Sequence, residues 1–301
     1  MELEANARRF GGFADLYDAV RPSPPAELAA LLCAYAAVDQ PALVVDLGSG
    51  TGLSTRWAAT WAAHVTGIEP SDDMRAQAAS ATVAGAGNVD YASGWSHTTD
   101  LPDGAADIVI AVQALHWMEP DATFAEVGRI LRPGGVFAAI DCDWPPSVGS
   151  ARAERAWHRA RSTIARYEAR LGDGLTGAAL RAPLDPTEAP EHRHDRGGAR
   201  PRDELLGEGV RYWSKDAHLE RMVASGRFSH CVEVGALSVE RGDAARLVAL
   251  LRSQGDYQTL VRHGLDDDVL GATAMSADVV DALGDGVRSF WFTYRARIGI
   301  I

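Results

Sequence analysis

Residues 44–52 read Val-Val-Asp-Leu-Gly-Ser-Gly-Thr-Gly, and seventeen positions past the last of these glycines a second apolar run, Val65-Thr66-Gly67-Ile68, ends in Glu69. A buried strand must here end in a tight turn, let its backbone approach a bulky ligand, and feed a helix packed closely on a sheet. Glycine suits all three tasks. The spacing predicts a nucleoside-binding βαβ unit: an apolar strand at Leu43, Val44 and Val45, a turn at Gly48, Gly50 and Gly52, and a helix over 53–63 on which Leu53, Trp57 and Trp61 recur every four residues. The loop amides and the helix N-terminus are expected to face the ligand.

Glu69 follows the second strand where an acidic side chain can accept hydrogen bonds from both ribose hydroxyls of an adenosine. A plain phosphate-binding loop has no use for such a residue. The glycines run G-x-G-x-G, and Leu53 breaks the dinucleotide fingerprint G-x-G-x-x-G, which argues against a nicotinamide dehydrogenase. Asp46, two places before the first glycine, is placed to hold a positively charged ligand group.

With these residues in view, the chain resembles the class I S-adenosylmethionine-dependent methyltransferases. Residues 46–52 are similar to that family's first motif, and Gly67-Ile68-Glu69-Pro70-Ser71-Asp72-Asp73-Met74 to its ribose and adenine segment. Residues 107–117, Asp-Ile-Val-Ile-Ala-Val-Gln-Ala-Leu-His-Trp, resemble the fourth strand of the small-molecule type-eleven branch, and Arg129-Ile130-Leu131-Arg132-Pro133-Gly134-Gly135-Val136-Phe137 the turn before strand five. Four motifs in order over 40–140 are far more specific than a lone glycine loop. The resemblance implies an α/β, Rossmann-like, doubly wound sheet of seven mostly parallel strands with an antiparallel last strand, and a helical and loop insertion after strand five. S-adenosyl-L-methionine is the implied cofactor. Its binding residues by resemblance are Asp46, Gly48, Ser49, Gly50, Thr51 and Gly52, then Glu69, Pro70 and Met74, then Gly94, Trp95 and Ser96, and Gln113.

The N-terminal region carries Phe10, Phe13, Leu16, Tyr17 and Arg21-Pro22 before a helix over 26–38 opened by Pro24 and Pro25. In the type-eleven branch this region resembles a lid, so Tyr17 and Arg21 are candidates for contact with cofactor or substrate. The alternative is that Phe10, Phe13, Leu16 and Tyr17 only pack an amphipathic helix on the core. Beyond Glu69, a crossover helix is expected over 72–84 and a third strand over 89–93. The loop Gly94-Trp95-Ser96-His97 falls where the family reads adenine. Trp95 and His97 replace commoner polar residues, which leaves recognition to stacking and the Ser96 backbone.

Ligands of open α/β sheets sit at the carboxyl ends of the strands, and His116 and Trp117 stand there at the end of strand four. His116 either takes a proton from the acceptor as the methyl moves or, with Trp117, walls the pocket and orients the substrate. Methyl transfer often needs little more than alignment, because the cofactor sulfonium already activates the methyl. Past strand five, over 136–140, Asp141, Cys142, Asp143 and Trp144 face the same side. Asp141 or Asp143 either binds an amine or serves as base, or caps a turn before Pro145-Pro146. Catalytic candidates are thus Tyr17, His116 and Asp141, with His116, Trp117, Asp143 and Trp144 toward the substrate.

The sequence divides into an N-terminal lid and helix (1–40), a cofactor-binding core (41–149), a substrate-capping insertion (150–229) and a C-terminal completion of the sheet (230–301). The insertion opens with an Arg-rich amphipathic helix over 151–171 and continues as a Pro, Gly and charge-rich loop over 172–201. Within it, Glu191-His192-Arg193-His194-Asp195 lacks a third His or Cys partner at a telling distance, so a solvated loop is expected rather than a metal site. Strand six is expected over 231–239, a helix over 244–251, and strand seven, alternating, over 289–298.

Composition removes other classes. A net charge of −12 repels nucleic-acid phosphate. Cys33, Cys142 and Cys231 show no paired spacing, which speaks against a zinc site or a disulfide framework. No apolar run reaches the roughly 18–20 residues that span a bilayer, and Met1-Glu2-Leu3-Glu4 is unlike a signal peptide. The expectation is a cytoplasmic enzyme of a small molecule, with a homodimer allowed. Its acceptor atom, O, N or C, is unread. A cyclisation or rearrangement in the same pocket, or a non-catalytic cofactor-binding partner protein, are the competing readings.

Overall fold

The computed structural model describes residues 4–5, 14–82, 87–185, 203–205 and 209–301. The expectations for Phe10, Phe13 and the stretch 191–195 lie outside them. Eleven helices of the described residues frame the sheet. They are α1 (Ala14–Val20), α2 (Ala26–Tyr35), α3 (Leu53–Ala58), α4 (Asp72–Ala81), α5 (Pro120–Ile130), α6 (Ala151–Gly172), α7 (Gly177–Leu180), α8 (His218–Ala224), α9 (Ala244–Arg252), α10 (Gly255–Arg262) and α11 (Ala272–Leu283).

The seven-stranded sheet holds β1 (Val44–Leu47), β2 (Val65–Ile68), β3 (Val89–Ala92), β4 (Ala106–Val112), β5 (Leu131–Cys142), β8 (His230–Gly242) and β9 (Arg288–Ile300), in the order β3-β2-β1-β4-β5-β9-β8. A separate pair joins β6 (Glu204–Leu205) to β7 (Arg211–Tyr212). β1 to β5 run parallel, and β9 is antiparallel to both β5 and β8. This is the Rossmann-like α/β sheet with an antiparallel last strand that the motifs imply.

The central strands are apolar on both faces because helices cover both. On β4, Ile108 and Ile110 join one core with Val44, Val136 and Ile140, while Val109 and Ala111 join the other with Val45, Leu47 and Phe137. Such continuous apolar runs are what doubly covered parallel strands require. The first core also takes up α2, α6, α9, α10 and α11 through Leu32, Trp157, Leu251, Leu260 and Val279. The helix of the insertion is therefore part of the main core, with Trp157 stacked on Trp144 at 6.4 Å. The second core is smaller and closes with Phe124, Phe137 and Phe228, whose rings lie 5.7–5.9 Å apart.

Several boundaries differ from expectation for local reasons. α3 ends at Ala58 rather than at 63, because the amides of Thr60 and Trp61 turn to carbonyls three residues back and the Thr60 hydroxyl donates to the Trp57 carbonyl at 2.7 Å. α2 stops at Tyr35, with Ala37 left-handed at φ 52° and the Val38 amide reaching the Cys33 carbonyl. β5 begins at Leu131, and its pairing with β4 shifts between Ala106 and Ile108 to take in the Pro-Gly-Gly step. β8 and β9 each extend over 13 residues, since every residue from His230 to Gly242 finds a partner between Ile300 and Arg288. The described part of the expected loop after α6 contains one helical turn, α7.

Candidate functional site

Sterics dictate the glycine turn at the carboxyl end of β1. Gly48 and Gly52 have φ of 67° and 79°, a region costly for residues with a side chain. A Cβ on Gly48 would stand 2.7 Å from Met118 Cε, and one on Gly52 would stand 2.3 Å from Tyr91 Oη. Nothing lies within 4 Å of a Cβ built on Gly50, so the loop opens to a space there. Within it, Ser49 Oγ and Thr51 Oγ1 are buried without hydrogen-bond partners. The loop amides are already engaged: Gly48 and Ser49 donate to the Ile68 carbonyl at 2.8 and 3.2 Å, and Gly52 to the Ser49 carbonyl at 2.8 Å. These three amides are thus spent within the turn, and the two hydroxyls are left for a ligand.

Glu69 closes this end. One carboxylate oxygen accepts from the Gly50 amide at 3.0 Å and the other from the Ser71 amide at 2.9 Å, binding the glycine loop to the start of α4. Burial raises its pKa, against the pull of the two amides. Each oxygen retains a lone pair for a ligand hydroxyl. Ser71 caps α4 by accepting from the Met74 amide, which fixes Met74 at the cleft. Asp46 lies beneath the loop, fully buried. One of its oxygens accepts from the Ser54 and Thr55 hydroxyls, both at 2.7 Å, and the other has no partner. Burial pushes its pKa up to about 7. It supports the turn from within rather than lining the cleft.

The cleft holds about 1170 Å³ of empty space, with the open solvent at its mouth included. Ser49, Gly50, Thr51, Glu69, Pro70, Met74, Trp95 and Ser96 line one end. Ser96 also bonds Thr123 through its hydroxyl at 2.8 Å, which holds the adenine-segment loop against α5. Val112, Gln113, Ala114, Trp117, Met118, Cys142, Trp144 and Tyr294 line the other. Tyr17, Arg21, Pro22 and Pro24 form a wall above. Arg21 is held between the rings of Tyr17 and Trp144, at 4.5 and 4.6 Å from their centroids. It donates to the hydroxyl and carbonyl of Ser253 at 3.0 and 2.8 Å.

Behind the β4 end stands a buried ionic cluster. Asp141 is paired with Lys215 at 3.0 Å and Arg297 at 2.8 Å, and Arg297 reaches Glu233 at 2.6 Å. Burial pushes the Asp141 carboxyl up, but the Lys215 ammonium and neighbouring His116 outweigh it and hold the group well below its usual value. Burial drives the adjoining His218 down to about 3. Lys215, the sole lysine of the chain, also donates to Gln113 Oε1 at 2.5 Å, while Gln113 Nε2 donates to the Cys142 carbonyl at 3.0 Å. Gln113 therefore meets the cleft with its amide locked and its backbone left-handed at φ 54°, a strained conformation of a kind that clusters at functional sites.

The structure thus gathers Tyr17, Arg21, Gly48, Ser49, Gly50, Thr51, Glu69, Pro70, Met74, Trp95, Ser96, Gln113, Trp117 and Trp144 on one cleft. Asp46, Gly52, Gly94, His116, Asp141 and Asp143 are not among the residues lining it. Gly94 backs onto Ile68, Asp143 accepts from Arg295 at 3.1 Å, and the ring of His116 packs 5.4 Å from that of Tyr212. Among the described residues, no group of three or more His, Cys, Asp or Glu is placed to hold a metal ion. Sequence reasoning missed Tyr294, whose inward phase on β9 follows from the alternation Phe290, Phe292, Tyr294, and Lys215, whose signal is its being the only lysine.

Known proteins resemble part of this chain. Residues 45–139 match the Methyltransferase domain family. An uncharacterized methyltransferase of Mycobacterium tuberculosis is 34% identical over 129 residues, 42% of this chain and 49% of its own length. A sterol 24-C-methyltransferase of Eremothecium gossypii is 31% identical over 137 residues, 44% of this chain and 35% of its own. The chain spans about half the length, or less, of the curated relatives it matches. The fold of a candidate type II methyltransferase from Anaeromyxobacter dehalogenans superposes with a TM-score of 0.56 at 20% identity, covering 93% of this chain and 97% of that one. Residues 45–139 are thus a methyltransferase domain, and by motif and sheet order the chain resembles the class I S-adenosylmethionine-dependent methyltransferases of the type-eleven branch.

Proposed function

We propose that the chain transfers the methyl group of S-adenosylmethionine to a small-molecule acceptor in the cytoplasm. The observation that carries this reading is the buried Glu69 carboxylate set against the partnerless hydroxyls of Ser49 and Thr51 on one enclosed cleft. Buried polar atoms without partners are costly, and a ribose edge with an amino-acid tail supplies the donors and acceptors they lack. In this reading Glu69 binds the ribose hydroxyls, Trp95, Ser96 and Met74 flank the adenine, and Gly48 to Thr51 cradle the amino-acid end. The cofactor brings an activated methyl on a sulfonium.

The remaining tasks fall to the chain: orient an acceptor in line at about 3–3.5 Å and exclude water. Trp117, Trp144, Val112 and Met118 give the acceptor end an apolar lining, and Gln113, locked by Lys215 and Cys142, sets its floor. Tyr17 and Arg21 close the wall above. Among the described residues no helix is long and apolar enough to cross a membrane. Titration calorimetry with S-adenosylmethionine, S-adenosylhomocysteine and NAD tests the pocket. Binding of the first two and not the third is expected. Binding of NAD alone, or of none of them, would remove the proposal.

A further inference from the structure

Among the described residues, the acceptor end of the cleft contains a cation with no carboxylate in contact and a buried hydroxyl with only a thiol beside it. Among the described residues Arg21 makes no ion pair; its guanidinium donates to Ser253. Asp256, whose charge it feels, is already bound to Arg161 at 2.7 Å. Half-buried, Arg21 has its pKa lowered by partial loss of solvent. Tyr294, 1% exposed and paired across the sheet with Cys142, lines the same chamber; its Oη has the Cys142 thiol as a weak neighbour and no oxygen or nitrogen in hydrogen-bond geometry.

Among the described residues the chamber also lacks a base. Its titratable described lining residues are Tyr17, Arg21, Glu69, Cys142 and Tyr294. Phenols and thiols keep their protons near neutral pH. Burial pushes the Tyr294 phenol well above its ordinary value and the Cys142 thiol up as well. Glu69 is at the opposite end with both oxygens engaged. His116 and Asp141 lie behind the wall. An acceptor that must lose a proton as it reacts finds nothing there to take it. An acceptor already ionised needs nothing, and Arg21 favours its charge.

From this we infer that the acceptor is a carboxylic acid with an apolar body, bound as its carboxylate by the Arg21 guanidinium and the Tyr294 hydroxyl and converted to its methyl ester. This rests on the function proposed above. A carboxylate oxygen forms the new bond to the methyl carbon as the carbon–sulfur bond breaks. The sulfur keeps the bonding pair and becomes a neutral thioether, the carboxylate becomes a neutral ester, and no proton is exchanged. Annihilation of two opposite charges in an apolar chamber suits a site without a proton acceptor. Trp117, Trp144 and Met118 supply the contact surface for the acid's apolar part.

A carboxylate at Arg21 has two sources, the acceptor and the amino-acid tail of the cofactor, and the test separates them. Protein is first titrated with S-adenosylhomocysteine; failure here overturns the cofactor reading and this inference with it, before any acid is added. The saturated complex is then titrated with octanoate, benzoate and cinnamate and with the matching amides and alcohols. Turnover with S-adenosylmethionine is followed by release of S-adenosylhomocysteine and by ester formation. At least one acid is expected to bind and to be esterified, with its amide and alcohol weaker by tenfold or more. Tyr294→Phe, which removes one oxygen and keeps the ring, should weaken the acid by about tenfold, the scale of one buried hydrogen bond, with S-adenosylhomocysteine affinity unchanged. Arg21→Gln should erase the preference for acid over amide and also leave that affinity unchanged; thermal unfolding of both variants checks that they fold. Binding of no acid to the complex, a preference for alcohol or amide, or an equal loss of S-adenosylhomocysteine binding in Arg21→Gln would each overturn the inference.

Discussion

Asp46 and Asp141 are both buried aspartates, one at the foot of β1 under the glycine loop and the other at the end of β5, and their surroundings have opposite effects. Asp46 has two hydroxyls for company, and burial carries its pKa to about 7. Asp141 has Lys215 and Arg297 in contact and is held well below the ordinary carboxylate value. The glycine-loop end of the cleft is thus built from short-range contacts within residues 46–74. The opposite, apolar-lined end is backed by charges brought together across more than 150 positions of the chain. One end can be read from consecutive residues; the other exists only after folding.

The comparison is broken most forcefully at the ionic cluster. Arg297→Met leaves Asp141 and Glu233 short of a buried partner and should destabilise the protein by roughly 3–5 kcal/mol, measured by denaturant unfolding. An unchanged midpoint would mean that the cluster is solvated and that the two aspartates do not differ as described.

Asp46 offers the next largest effect, with the opposite pH sign. Its folded pKa is raised from 3.8 to about 7, so the folded state binds the extra proton, and its contribution is complete below about pH 4 and lost as pH rises through about 7. At about 1.4 kcal/mol per pKa unit the loss is at most about 4 kcal/mol. Asp141, depressed, contributes above the ordinary carboxylate range and loses that contribution as pH falls through it. His218, held down to about 3, adds a slope of the opposite sign below about pH 6.5, so the test is the difference between the two proteins: the unfolding free energy of the parent minus that of Asp46→Asn should fall from pH 4 to pH 8, and a constant difference would refute the assignment.

Gly48→Val sharpens the cofactor end. A branched side chain at φ 67° with Met118 Cε 2.7 Å from its Cβ should cost roughly 2–4 kcal/mol from the strained backbone and overpacking together. Folded variant should also bind S-adenosylhomocysteine more weakly than the parent. Smallest is Glu69→Gln, which keeps the shape but weakens the bonds to the Gly50 and Ser71 amides and to a ribose, by about 1–3 kcal/mol of ligand affinity. Unchanged affinity by calorimetry would take Glu69 out of the ribose role.

The difference between the two ends also explains what was legible before the fold was known. Glycine spacing, Glu69 and the four motifs prescribe β1 to β5 because each reports a local backbone demand that few residues meet. The order of the sheet and the antiparallel β9 follow from the family those motifs indicate. Tyr294 and Lys215 carry no such local signature. Their roles come from β9 lying beside β5 and from the segment before α8 folding under β4, contacts that no neighbouring residue announces. For the same reason His116 and Asp141, which stand at strand ends as a catalytic residue would, prove to sit behind the wall with Lys215, His218 and Tyr212. Asp46 shows the converse: a carboxylate two places before the glycines reads as a ligand group and is instead bonded to the first turn of α3.

Amide hydrogen exchange with and without S-adenosylhomocysteine tests the division of the cleft most directly. Protection is expected at residues 48–53, 69–74 and 94–97, with little change over 211–218 and 288–297. Protection confined to the second set, or absent from the first, would contradict a cofactor bound at the glycine-loop end.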